Sequence, residues 1–213
     1  MEINYVCSLG SLCHTASLLQ RNNLKLVSYP FDWIFSNFHN IIHCMQDKFN
    51  IFLDKEYYNH ISDSECGHKF YDKTLCNPMW RHHNPLVNED HYKYIKRCVQ
   101  RYNSLLQYSE PKLFVMTFVN FKTIDDKLIL ELIDFNNKFA KFTKNYILLI
   151  IFHIPNNEKQ HAKFKCIGNI HFLYIQTKSE SVGIYFYDET DNIFLDNIVK
   201  KKYNFNLKEI NNC

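Results

Sequence analysis

The sequence predicts a single α/β domain: a largely parallel sheet flanked by helices in three layers, with a long irregular insertion at about 50–90. Three observations carry that prediction. The runs Lys112–Val119, Asn145–Ile154 and Ile170–Gln176 are apolar without alternation, as strands covered on both faces require. Helical patterns alternate with those runs, which implies parallel strands joined by right-handed crossovers. No repeat and no linker divides the 213 residues, a length that suits one domain of ordinary size.

Taken in order, Asn4–Gly10 reads as a short buried strand closed by a glycine. Leu12, Ala16, Leu18 and Leu19 then fall on helical spacing, and Asn22-Asn23 supplies the stop. Ser28–Ile34 is a proline-containing aromatic segment that reads as an ordered loop, and Phe38–Phe49 places Ile41, Ile42, Met45 and Phe49 on one helix face. The stretch 50–90 is polar, aromatic and broken by Gly67, Pro78 and Pro85; ordered loops of that length usually carry function. Glu89–Gln107 is helical, with Tyr94, Ile95, Cys98, Tyr102, Leu105 and Leu106 as its apolar stripe. Helices over Asp125–Phe142 and Asn192–Tyr203 separate and follow the apolar runs of the second half.

Composition narrows the classes of function. Asn (24), Lys (21) and Ile (21) are abundant while Gly, Ala, Arg and Pro are scarce, the imprint of A+T-rich coding. Charged residues at 22% and aromatic residues at 16% exclude a disordered chain. The formal net charge of +3 is small and interleaved with acids, so no nucleic-acid partner is expected. No run of 18 uncharged apolar residues exists, so no membrane span is expected. The start Met1-Glu-Ile-Asn lacks the pattern of a signal peptide, which points to a cytoplasmic location with the eight cysteines as free thiols.

Chemistry concentrates first in the turn after the opening strand, Cys7-Ser-Leu-Gly-Ser-Leu-Cys13-His14. At the carboxyl end of a strand, such a turn delivers side chains to a helix N-terminus. Unpaired N–H groups and the helix dipole there favour a thiolate, so Cys13 is a candidate nucleophile, and the turn around Ser8, Gly10 and Ser11 is a candidate oxyanion or ligand cradle. Cys13 on helical spacing suits a core position as well. The single glycine fails the dinucleotide and phosphate-loop fingerprints. A serine hydrolase with a late Asp-x-x-His is excluded too, because no histidine follows His171.

The second concentration is Cys76–Pro85, which includes Arg81, His82, His83 and Asn84. A thiol nucleophile needs a histidine base and a polar group to orient it. His82 or His83 would be the base, with Asn84 or Asp32 as orienter; surface histidines are the plain alternative. Cys66, His68, Cys76, His82 and His83 are metal-ligand types but lack zinc spacing, so no metal and no other cofactor is expected. Three of the four arginines, Arg81, Arg97 and Arg101, crowd this region and suit an anion or carboxylate.

The run from Val6-Cys-Ser-Leu-Gly-Ser-Leu-Cys13 through Ala16, followed by Ser28-Tyr-Pro-Phe-Asp-Trp-Ile34, resembles the opening of a family described as putative papain-like cysteine peptidases, with bacterial and large-DNA-virus members. Arg81-His-His-Asn84 and the basic helix after it resemble that family's middle region. The resemblance implies a thiol-dependent hydrolase with Cys13 as nucleophile and His83 or His82 as base, acting on a peptide or small molecule. It also allows a viral source, and then the host cytoplasm. The rival reading is an α/β domain that binds a small anionic or sugar-nucleotide ligand at the first strand–helix turn. A third is an interaction protein in which Tyr29–Trp33 is a packed plug.

Overall fold

A computed structural model describes residues 2–74 and 78–210 of the chain; Cys76 and Cys213 lie outside them. Two short strands, β1 (Glu2–Ile3) and β2 (Tyr5–Ser8), lead into α1 (Cys13–Arg21). Then come α2 (Phe38–Gln46), α3 (Asn50–Leu53), β3 (Tyr58–His60), β4 (Cys66–His68) and α4 (Glu89–Gln107). The second half runs β5 (Lys112–Phe118), α5 (Asp126–Phe139), β6 (Tyr146–Ile154), β7 (His161–Ile167), β8 (Ile170–Gln176), α6 (Glu189–Lys202) and β9 (Asn204–Phe205).

The central sheet has the order β2-β5-β6-β8-β7. Its first four members are parallel, in registers that pair Tyr5 with Lys112, Lys112 with Tyr146, and Leu148 with Ile170. The predicted α/β class and its mostly parallel sheet are therefore present. The unpredicted strand is β7, which lies antiparallel to β8 at the edge. His161, Lys163, Lys165 and Cys166 break any apolar run there, because an edge strand leaves residues to water that a central strand must bury.

Alternation along the strands splits the core in two. Phe114, Met116, Leu148, Ile150 and Phe152 face α2, α4 and α5 through Ile41, Ile95, Tyr102, Leu132 and Phe135. Leu113, Val115, Leu149 and Ile151 face α1 and α6 through Leu18, Leu19, Leu195 and Val199. The helix starts follow from local chemistry. Asp125 accepts from Leu128 N–H at 2.7 Å and Asp188 from Thr190 N–H at 2.8 Å, so each aspartate caps the helix that follows it. The second cap starts α6 at Glu189, ahead of its first apolar residue.

The insertion is an aromatic annex of the first core. Phe52, Tyr58, Tyr71 and Trp80 are all buried in it. Trp80 exchanges backbone hydrogen bonds with Cys66 of β4 (2.9 and 3.0 Å), and Phe35 N–H donates to Met79 C=O at 3.3 Å. Isolated bridges also join Trp80 to Ile34 and to Cys66. The segment that follows the Pro-Phe-Asp-Trp run is thereby strapped to the one that carries Arg81 and His82. Among the described residues no helix is long and apolar enough to cross a membrane.

Candidate active site

The loops at the carboxyl ends of β2, β5 and β8 converge on one cleft of about 470 Å³. Leu12 and Cys13 enter it from the head of α1, Trp33 and Phe35 from the aromatic segment, and Glu65, Arg81 and His82 from the insertion. Val119 and Asn120 follow β5, and Ser181–Ile184 follow β8, closing the opposite wall. This is where open parallel sheets gather chemistry, because helix N-termini and loops meet there.

The turn that delivers Cys13 is fixed from several sides. Gly10 has φ +81, a left-handed backbone that side chains rarely adopt. Its N–H donates to Ser8 Oγ at 3.1 Å and its C=O accepts from Thr15 Oγ1 at 2.7 Å. Ser11 Oγ donates to Thr117 C=O, and Ser36 Oγ donates to Leu9 C=O at 3.1 Å. Ser11 therefore spends its O–H on β5, Ser8 Oγ accepts within the turn, and the Gly10 N–H is taken. The uncommitted donors are at the head of α1, where Leu12 is the N-cap and makes no side-chain cap bond.

Cys13 is partly exposed and free. Burial raises its thiol above the ordinary value, against smaller lowering effects of its own backbone N–H and of Arg81. Burial thus favours the protonated thiol over the thiolate. His82 is exposed and shares the cleft, although no hydrogen bond joins it to Cys13. His83 points elsewhere: it stacks on Tyr94 with ring centroids 5.0 Å apart, on the other side of Trp33.

Neither expected orienter meets either histidine. Asp32 is buried, accepts from Tyr29 N–H at 3.0 Å and pairs with Lys25 at 3.0 Å. Burial pushes its carboxyl up to about 6. Asn84 is buried as well and bonds His60 Nδ1 at 3.0 Å and Ser62 C=O at 2.6 Å. The carboxylate that does line the cleft is Glu65, 3.5 Å from Arg81 Nε. The three arginines do not converge. Arg81 lines the cleft, whereas Arg97 and Arg101 stand on α4, which contributes no residue to it. Cys66 and His68 are buried in β4, and among the described residues no His, Cys, Asp or Glu cluster is set to hold a metal ion.

Sequence reasoning missed the far wall. Asn120, at φ +61, clamps Ser181 through both backbone groups: Nδ2 donates to Ser181 C=O at 2.9 Å and Oδ1 accepts from Ser181 N–H at 2.8 Å. Its own N–H donates to His153 Nδ1 at 3.1 Å. An asparagine directly after an apolar strand was the available signal, but asparagines are too common in this chain to stand out.

A family model described as putative papain-like cysteine peptidase matches residues 4–156. No curated protein and no solved structure matches the chain.

Proposed function

The chain belongs to the family described as putative papain-like cysteine peptidase, and from that premise we propose that it is a thiol-dependent hydrolase with Cys13 as nucleophile and His82 as base. The observation that carries this reading is that Cys13, at the head of α1, and the exposed imidazole of His82 line one cleft. His82 takes the thiol proton as Sγ attacks the substrate carbonyl. The carbon–sulfur bond forms and the carbonyl electron pair moves to oxygen, where the uncapped N–H groups of α1 offer hydrogen bonds. The intermediate collapses, expelling the leaving group with the proton held by His82. Water, deprotonated by the same imidazole, then cleaves the thioester and restores the thiol. Thiol burial fits this order, because the proton leaves only when the base and the carbonyl are both in place.

A p-nitrophenyl acetate experiment tests the reading. The acetyl group should map to Cys13 by mass spectrometry, and Cys13→Ala should abolish that adduct. His82→Ala should slow acetylation by about 100-fold or more, the usual scale for a lost general base. His83→Ala should leave the rate near native, since His83 is committed to Tyr94. Acetylation at other sites, or an unaffected His82→Ala variant, would overturn the assignment.

A second reading keeps one supporting observation. Arg81 beside the head of α1 suits a small anion, and the same cleft would then bind without bond cleavage. A chain that binds a nucleoside diphosphate and forms no Cys13 adduct would favour it.

A further inference from the structure

Ser181 sits on the wall of the Cys13 cleft contributed by the loop after β8, outside the residues the family model covers. Its hydroxyl is held by a buried histidine. His14 Nδ1 lies 2.7 Å from Ser181 Oγ, and Gly183 N–H donates to the same oxygen at 3.1 Å. The histidine is the residue after Cys13, so the thiol and this hydroxyl are held from adjacent positions of α1.

The other ring nitrogen decides the direction of the bond. His14 Nε2 is fully buried and has no hydrogen-bond partner among the described residues. A buried N–H without an acceptor is rarer in folded proteins than an acceptor with a spare lone pair. The proton therefore belongs on Nδ1, and the imidazole donates to Ser181 Oγ. That oxygen then accepts from His14 and from Gly183, which uses both lone pairs and leaves its O–H as an unspent donor. The peptide groups of Ser181 are clamped by Asn120 on both sides, so the hydroxyl cannot swing away with its loop.

We propose that Ser181 donates its hydroxyl proton as a hydrogen bond to the oxyanion formed when Cys13 attacks a carbonyl, with His14 as the residue that positions it. The inference rests on the reading of Cys13 as nucleophile. Ser181 and the N–H groups at the head of α1 together form a two-sided oxyanion cradle. In the step it serves, the sulfur–carbon bond forms, the carbonyl electron pair moves to oxygen and the thiol proton passes to His82. Ser181 keeps its own proton and shares it in a hydrogen bond. The bonds that hold Ser181 are made without substrate, and a donor fixed in advance is the condition for lowering such a barrier.

Two thiol reagents separate this role from general damage to the site. An N-acetyl dipeptide aldehyde adds to a thiol through a tetrahedral oxyanion, whereas iodoacetamide displaces iodide without one. Ser181→Ala should weaken aldehyde binding at Cys13 by about 100-fold, the scale of losing one oxyanion donor, and leave the iodoacetamide rate at Cys13 unchanged. Ser181→Thr keeps a hydroxyl and should retain the affinity, and His14→Phe should show the same selective loss in smaller measure. Native affinity in Ser181→Ala, with Cys13→Ala abolishing binding, would overturn the Ser181 role and leave the nucleophile standing. Equal losses with both reagents would also overturn it, because they would mark a structural defect. No aldehyde adduct at Cys13 of the native chain would overturn both.

Discussion

Gly10 shows how a single residue sets the site. A Cβ built on it would lie 2.1 Å from Ser36 Oγ and 2.9 Å from Phe31 C=O. The hydroxyl can rotate aside, but the carbonyl is backbone, and φ +81 strains any side chain. Gly10→Ala should therefore cost about 1–3 kcal/mol, read as a lower urea midpoint with an unchanged slope. A native midpoint would show that the turn tolerates another conformation. Cys13 gives a second prediction at this scale. Burial holds its thiol above the ordinary range, while Cys166 is exposed on β7. Plain alkylation near neutral pH should then favour Cys166, and acyl transfer should favour Cys13 if His82, which shares its cleft, acts as the proposed base. The same preference with both reagents would contradict the assigned chemistry.

Among the elements, the insertion matters most, because it brings His82 across to a helix some seventy residues earlier in the chain. Its anchor is Trp80, buried against Tyr58 (ring centroids 5.0 Å apart) and Phe52 (5.6 Å). The backbone of Trp80 is also paired with Cys66 of β4. Trp80→Ala should lower stability by about 3–5 kcal/mol, the cost of a large buried aromatic. Trp80→Phe keeps much of the packing and should separate folding from function: the chain stays folded, and acetylation of Cys13 slows because His82 is held less firmly. Unchanged acetylation in Trp80→Phe would mean that the tether is not needed. On the other face, Arg21 of α1 grips Asp196 of α6 through three hydrogen bonds of 2.7–3.0 Å, fixing the helix that carries Cys13 to the end of the fold.

Taken as a whole, the molecule stores a pH dependence in its buried polar groups. Burial lowers His14 to about 3, and lowers His68 and His153 to about 4 each. The unfolded chain protonates histidine near 6.5, so between that pH and about 4 it takes up protons that the folded chain refuses. Stability therefore falls as pH falls, by up to about 1.4 kcal/mol per pH unit for each such histidine. Asp32 acts with the opposite sign. Its carboxyl, raised to about 6, contributes stability that is present below about 4 and lost as pH rises through about 6. Urea midpoints should thus decrease from pH 7 to pH 5, and Asp32→Asn should make the decrease steeper; a flat profile in Asp32→Asn would refute the histidine sign, and equal slopes in native and Asp32→Asn would refute the aspartate sign. The sequence alone determined the α/β class, the three buried parallel strands, most helix limits and the Cys13 turn. Those features rest on local patterns: unbroken apolar runs, helical spacing, an aspartate cap and a glycine where φ must be positive. The edge strand β7 was not legible, because its polar residues carry no apolar run. Nor was it legible that His82 rather than His83 lines the Cys13 cleft, since neighbours in a loop differ only in the direction each side chain takes. Asp32 and Asn84 matched an orienter by type, yet Lys25 and His60 claim them in space. Ser181, Asn120 and His14 reach the site from separate parts of the chain. Only the tertiary structure could bring them together, because their meeting depends on strand order and loop direction, which no short window of sequence records.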